Sequence, residues 1–387
     1  MIIKPKVKDF ICTTAHPDGC AESIRRQIEY VTENGRINNP KRVLVIGCST
    51  GYGLASRIAL AFGNSASTLG VMFEREATEK RTATPGYYNT VAFEQEAHKN
   101  GLYARSINGD AFSTEIKEQV IAEIKENLGS IDMLVYSLAA PRRTTSDGTT
   151  YHSVLKTIGE PFTEKTWILG SDTIETATIP TATEEEITAT VKVMGGEDWA
   201  DWIQALSGAG VLASSFTTVA YSYIGPELTY PVYNHGTIGM AKKHLKETCD
   251  QLNDTYGADG LKAYVSVNKA LVTQSSSAIP IVPLYFSILY RVMKDMDLHE
   301  GCIEQMQRLF QKKIFSGKLV PLDSEGYIRM DDWEMKPEVQ EQVMEIWKQI
   351  NTENLKELAD TDGYWEDFYH MFGFHYSNVD YEKDVQP

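Results

Sequence analysis

Apolar positions along the chain fall into short runs separated by stretches of helical period. Val43–Ile46 is one such run, long enough for a strand buried on both faces. Leu54–Phe62 (LASRIALAF) then reads as a helix, with Gly63 as its stop. Thr68–Phe73 predicts a second strand and Tyr103–Ile107 a third, followed by a charged amphipathic helix over Thr114–Leu128. Asp132–Ser137 predicts a fourth strand. Strands and helices alternating at these lengths imply an α/β fold, a Rossmann-like doubly wound parallel sheet.

The flanks follow less regular patterns. Met1–Phe10 alternates in part and predicts a strand pair, and residues 21–35 predict a helix with a charged face. Residues 141–182 are rich in Thr, Ser and Gly, with partial strand alternation over Phe162–Ile179, and predict an insertion near the sheet's carboxyl edge. Helices follow over Glu184–Met194 and Trp199–Leu206. The β-α rhythm returns with Phe216–Tyr221, a helix from Thr237, and Leu261–Val267. After Pro280 the pattern is mostly helical, with Trp333, Trp347 and Trp365 expected to pack onto the main body. No flexible linker interrupts the chain. One elaborated domain over 1–387 is expected, with an insertion at about 141–210 and a helical extension at about 281–387.

Charge narrows the function classes. The 387 residues carry a formal charge of −16, which argues against a general nucleic-acid binder. The cysteines (Cys12, Cys20, Cys48, Cys249, Cys302) are scattered without metal-ligand spacing, so no metal is expected. No leader-like start and no apolar stretch of about 20 residues is seen. A cytoplasmic protein with reduced thiols is the expectation.

The turn GCSTGYG joins the first strand to its helix, with Gly47, Gly51 and Gly53. Such glycines let a backbone approach a pyrophosphate at a helix N-terminus, and Ser49 and Thr50 add hydroxyls. Glu74 ends the second strand, where a carboxylate accepts from ribose hydroxyls and repels a 2′-phosphate. NADH is thereby favoured over NADPH, although Arg57 and Arg75 stand near enough in sequence to offset the repulsion. Asp110-Ala111 follows the third strand, suiting an adenine amino group. Ser137-Leu138-Ala139 follows the fourth, where small residues let a cofactor pass. Leu271, Val272 and Thr273, after a later strand, would line the nicotinamide end; capping of a helix by Ser276 or Ser277 is the rival reading of that stretch.

Tyr233 and Lys242 carry the candidate chemistry. An ammonium near a phenol favours its ionised form, and the phenol can bond to an oxygen where charge develops. Nine positions apart on one straight helix, the two would face nearly opposite ways. Gly236 and Thr237 offer an exit: Tyr233 on the preceding loop, Thr237 as N-cap, Lys242 within the helix. Tyr223 ends the preceding strand within reach of the same pocket. His235 and His244 lack a partner motif and are read as structural.

Together these residues resemble the FabV-type enoyl-acyl-carrier-protein reductases and the related trans-2-enoyl-CoA reductases. The resemblance spans nearly the whole chain, through AHPDGC, GCSTGYGLASRI, GDAFS, VYSLAAPRR, VMGGEDW, AYSYIGPE, Tyr-x8-Lys, SVNKALVTQ, HEGCIEQ and RMDDWE. It implies a monomeric, enlarged short-chain dehydrogenase fold using NADH. By position it implies NADH contacts from Gly47, Cys48, Ser49, Thr50, Gly51, Tyr52, Phe73, Glu74, Asp110, Ala111, Leu138, Ala139, Lys242 and Leu271–Thr273. Tyr223 would contact substrate and Tyr233 would donate the proton. Hydride addition to an enoyl-CoA or enoyl-acyl-carrier protein would leave an enolate held by Tyr233, assisted by Lys242. The same pair could serve a ketone reductase, and the glycine turn alone a non-catalytic NAD sensor. Arg142, Arg143, Lys242, Lys243 and Lys246 are the candidates for a basic rim facing the carrier.

Overall fold

The computed structural model describes residues 1–8, 11–273, 276 and 279–386. Its strands are β1 (Val7–Lys8), β2 (Ile11–Cys12), β3 (Arg42–Ile46), β4 (Ser67–Met72), β5 (Ala104–Asn108), β6 (Ile131–Tyr136) and β7 (Arg142–Thr144). They continue with β8 (Thr150–His152), β9 (Phe162–Ile168), β10 (Thr173–Ile179), β11 (Leu212–Ser222), β12 (Leu261–Val267) and β13 (Ile328–Arg329). Seven form one sheet in the order β13-β12-β11-β6-β3-β4-β5, every pair parallel. Chain direction across the sheet reverses between β3 and β6, the place where such sheets open a ligand crevice.

The sheet is buried because its strands are apolar on both faces. Val43, Val45, Met133 and Val135 join the core under the helices Pro17–Glu33, Gly51–Asn64 and Pro85–Lys99. Leu44, Ile46, Leu134 and Val265 point the other way, into a core with Trp199, Trp202 and Leu245. Alternate residues of one strand thus feed two layers.

A third core lies around the helix Val282–Asp295, in which 11 of 14 residues are buried, so it runs through the middle of its layer rather than over the surface. Trp167 of the β9–β10 hairpin, Trp347, Tyr364 and Phe368 surround it. Tyr233, Leu271 and Val272 belong to the same cluster.

Several expectations shift. Gly63 lies inside the helix Gly51–Asn64, which ends at Ser65 in the left-handed conformation (φ 54°). The helix Pro85–Lys99 has no counterpart among the elements expected from the pattern. The C-terminal region is mostly helical but also adds β13 to the sheet edge. The N-terminal strand pair is β1 with β2; the expected pairing at Phe10, and the capping at Ser277, lie outside the described residues.

Candidate active site

At the carboxyl end of β3, Gly47 turns the chain with φ 79°. A Cβ there would stand 1.9 Å from the Ser137 carbonyl oxygen, so glycine alone lets the turn lie against the end of β6. Gly51 opens the helix Gly51–Asn64, and a Cβ on it would meet nothing within 4 Å. The helix N-terminus therefore borders open space. Thr50, its N-cap, makes no side-chain cap bond, and the first-turn amides keep their capacity for an anion. A dinucleotide pyrophosphate fits this cradle.

The acid beside it is held from several sides. Ser49 Oγ donates to Glu74 Oε1 at 2.6 Å. Asn108 clamps the Glu74 peptide: Glu74 N donates to Asn108 Oδ1, and Asn108 Nδ2 donates to Glu74 O, both at 2.8 Å. A Cβ on Gly86 would stand 2.1 Å from Glu74 Oε1, so the carboxylate uses space that only glycine leaves. Arg57 does not offset this charge. It is fully buried and donates to Thr68, Ser106 and the Arg105 carbonyl. Arg75 is exposed.

The remaining positions sit beyond successive strand ends. Cys48 turns its thiol inward, 3.7 Å from Arg57 Nη1. The Tyr52 hydroxyl donates to Lys269 O at 2.7 Å, tying the helix Gly51–Asn64 to the segment after β12. Phe73 is 74% exposed beyond β4, a large ring left in solvent at the cofactor edge. Asp110 Oδ1 accepts from Phe112 N at 3.0 Å, and Ala111 is buried. Leu138 is half-buried and Ala139 exposed after β6.

Tyr233 and Lys242 each contact the end of β11 or the residue just beyond it. Tyr233 ends a short helix, Tyr230–Tyr233, rather than lying on a loop, and Gly236 rather than Thr237 caps the next helix, Thr237–Tyr256. Thr237 donates its hydroxyl to Val154 O at 2.6 Å and opens that helix as its first residue. Lys242 Nζ donates to the Tyr221 carbonyl at 3.2 Å. Two residues on, the Tyr223 ring stands edge-on to Tyr233, centroids 4.7 Å apart. The break thus puts the two residues on separate helices.

Their protonation differs from the expected arrangement. Burial lowers the Lys242 ammonium to about 8. Burial, and then the Glu334 charge, raise the Tyr233 phenol above its ordinary value. Both causes raise the phenol and Lys242 is not among them, since its ammonium is turned to the Tyr221 carbonyl. Tyr233 is therefore a neutral hydrogen-bond donor at neutral pH.

Glu334 is the polar residue the pattern does not mark. It is fully buried, and it receives hydrogen bonds from the Tyr223 hydroxyl (3.1 Å), the Tyr285 hydroxyl (2.8 Å) and Ala270 N (2.7 Å). Burial raises its carboxyl, opposed by the Lys269 charge. Lys269 is itself buried, which lowers its ammonium to about 8. The signal was present in RMDDWE and SVNKALVTQ, but an acid in an acidic run reads as solvated.

The basic rim is smaller than expected. Arg143 is buried, not rim-facing: it pairs with Glu197 (2.7 Å) and Asp201 (3.0 Å) and donates to Lys192 O. Lys246 pairs with Asp250 at 2.6 Å. Arg142 and Lys243 are exposed. His244 Nδ1 accepts from Gly196 N at 3.0 Å, a structural bond, as expected.

Comparison with known proteins bears on the whole chain. A family model described as the trans-2-enoyl-CoA reductase catalytic region matches residues 81–315. One described as the NAD(P)H binding domain of trans-2-enoyl-CoA reductase matches 2–79, and one described as an enoyl reductase FAD binding domain matches 322–385. The enoyl-[acyl-carrier-protein] reductase [NADH] of Flavobacterium johnsoniae is 55% identical over 386 residues, covering 100% of this chain and 98% of that protein. The trans-2-enoyl-CoA reductase [NADH] of Ruminiclostridium cellulolyticum is 52% identical with the same coverage. The crystal structure of Clostridium acetobutulicum trans-2-enoyl-CoA reductase in complex with NADH superposes with a TM-score of 0.97 at 44% identity, covering 100% of this chain and 98% of that one. The Treponema denticola enzyme in complex with NAD gives 0.96 at 46% identity, again covering 100% and 98%.

Residues 322–385 do not fit a flavin dinucleotide. A dinucleotide pyrophosphate is commonly held by a strand, a glycine turn and a helix N-terminus. Among the described residues there, the strand β13 runs instead into Asp331, Asp332 and Glu334, carboxylates already engaged by Arg329, by Arg308 and Lys313, and by Tyr223, Tyr285 and Ala270 N. No chemistry is assigned to a flavin.

Proposed function

The chain belongs to the trans-2-enoyl-CoA reductase family, and we propose that it reduces the trans-2 double bond of an enoyl thioester with NADH, as in fatty acid synthesis. One observation carries the reading. Tyr233 packs on Tyr223, and Lys242 bonds the Tyr221 carbonyl two residues earlier, at the carboxyl end of β11, on the same sheet edge as the Gly47 turn and one strand removed from it.

Bound NADH supplies the hydride that adds to Cβ of the enoyl thioester. The Gly47–Tyr52 turn would hold its pyrophosphate, Glu74 the adenosine ribose, and Asp110-Ala111 the adenine. Leu138-Ala139 and Leu271–Thr273 would flank the nicotinamide end. Tyr233, a neutral phenol, hydrogen-bonds the thioester carbonyl oxygen as charge develops there. Lys242 carries a positive charge below a pH of about 8 and would hold the nicotinamide ribose. Tyr223 shapes the carbonyl pocket. As the enolate collapses, Cα takes up a proton from solvent, which with the hydride completes the saturated thioester. Tyr233→Phe tests the assignment: turnover of crotonyl-CoA should fall at least about 100-fold with NADH affinity kept. Intact turnover would refute it, and 3-oxoacyl-CoA turnover without enoyl-CoA turnover would favour a ketone reductase.

The carrier is either CoA or an acyl-carrier protein. Arg142 and Lys243, exposed near the pocket, suit a phosphate on either. Rates with crotonyl-CoA, a longer enoyl-CoA and an enoyl-acyl-carrier protein separate them. We further propose one elaborated catalytic domain, since Glu334 of the C-terminal extension binds Tyr223 and β13 extends the sheet. The resemblance also supports a cytoplasmic monomer, which sedimentation and fractionation test. No helix among the described residues is long and apolar enough to cross a membrane.

A further inference from the structure

We infer that Glu334 is a positioning residue: it fixes the Tyr223 hydroxyl and the Ala270 segment relative to each other, and so sets how the thioester meets the nicotinamide. The inference rests on the proposed function of that site. One carboxyl group serves two pieces of the pocket that come from different strands. Oε1 accepts from Tyr223, just past β11, at 3.1 Å. Oε2 accepts from Ala270 N, three residues past β12 and one before Leu271, at 2.7 Å. The carboxyl is pinned from behind. Tyr285 donates to Oε1 at 2.8 Å, and Gln340 Nε2 donates to the Glu334 peptide carbonyl at 2.7 Å.

A purely structural role is the competing account. Buried carboxylates are expensive, and an apolar side chain of similar size would fill the space at lower cost. Here two of the three side-chain acceptor bonds go to pocket elements, which packing alone does not require. The ionised carboxylate is an acceptor only, and in that state all three donors are matched. The Tyr223 hydroxyl has a single proton, and Glu334 takes it. Tyr223 therefore presents lone pairs to the pocket and does not donate to the thioester carbonyl. That leaves Tyr233 as the donor, with Tyr223 orienting it or the substrate by accepting.

Glu334→Gln keeps the shape, removes the charge, and turns one acceptor into an N–H that opposes a donor. It is measured beside the wild-type protein. With NADH, kcat/KM for crotonyl-CoA should fall about 10- to 100-fold, mainly in kcat, as a charge-assisted hydrogen bond is lost. NADH affinity, read by fluorescence quenching, should change less than about threefold, because the adenosine end is untouched. Amide hydrogen exchange across residues 268–273 should speed up in the protein without substrate, a readout independent of turnover. Unchanged exchange there, or kcat/KM within about twofold of wild type, would overturn the role. So would a parallel loss of NADH binding, activity and thermal stability, which marks a structural residue. A wild-type protein that turns over no enoyl thioester would count against the proposed function instead, and the exchange result would still decide the place of Glu334.

Discussion

Replacing Gly86 with Ala tests how the chain chooses its cofactor. The residue is the second of the helix Pro85–Lys99 and has no left-handed backbone, so alanine suits the conformation. Helix propensity alone would then stabilise the variant, by at most about 1 kcal/mol. The new Cβ, however, would stand 2.1 Å from Glu74 Oε1, 2.5 Å from Glu74 Cδ and 2.8 Å from Ser49 Cβ. The carboxylate is the mobile party, because its peptide is clamped by Asn108 at 2.8 Å on both sides. It must swing away, breaking the 2.6 Å bond from Ser49. A hydrogen bond to a charged group contributes about 1.5–3 kcal/mol, so losing the Glu74–ribose contact should raise KM for NADH about 10- to 150-fold. The displaced charge also stops repelling a 2′-phosphate, so the NADH/NADPH ratio of kcat/KM should narrow. Initial rates with crotonyl-CoA and each cofactor measure this, with a thermal melt alongside. An unchanged ratio in a folded variant would show that Glu74 does not select the cofactor from this position.

Two further outcomes are expected. Lys242 is charged below its value of about 8, so turnover at saturating NADH should decline as pH rises through that value; Lys242→Met should abolish the step, and a wild-type profile flat to about pH 9 would exclude the ammonium from the rate. Arg143→Ala leaves Asp201 without Arg143 and Glu197 with Lys192 alone, so the melting temperature should drop while KM for enoyl-CoA and enoyl-acyl-carrier protein stays put; a raised KM with normal stability would return Arg143 to the carrier rim.

How far the chain could be read in advance follows from what each residue signals locally. The sheet strands were legible because burial on both faces demands continuous runs such as Val43–Ile46, which few other contexts produce. The helix Pro85–Lys99 was not: its buried side interrupts any apolar stripe with Gly86 and Asn89, which lie against Glu74 and Ser49, and with Thr90, whose hydroxyl bonds the Gly86 carbonyl. β13 has two residues and no periodicity to detect. Tyr233 and Lys242 were visible by type and order, and the glycine between them supplied the break that their spacing requires. The N-cap was misplaced because the Thr237 hydroxyl is claimed by Val154, some 80 positions upstream (83 in sequence), which no local rule reveals. Arg143 and Glu334 share a different blindness. Charged residues in polar stretches read as solvated, and only tertiary partners show that both are buried.

The state of Tyr233 decides which half of the chemistry the pocket favours. A phenol acidified by its lysine would serve best as a base, taking a proton from an alcohol in the oxidising direction. Here burial and the Glu334 charge keep the proton on the ring oxygen. Lys242, meanwhile, spends one hydrogen bond on the Tyr221 carbonyl instead of on the phenol. A neutral donor costs far less to hold in an apolar pocket than a phenolate would, and its hydrogen bond strengthens once an adjacent oxygen gains charge. That is differential stabilisation of a developing enolate over a neutral thioester. The separation of the two side chains along the sequence then has a physical use. With Tyr233 on a short helix of its own, the lysine need not lie against the phenol, and its charge can be directed to the cofactor ribose while the hydroxyl keeps its proton for the substrate oxygen.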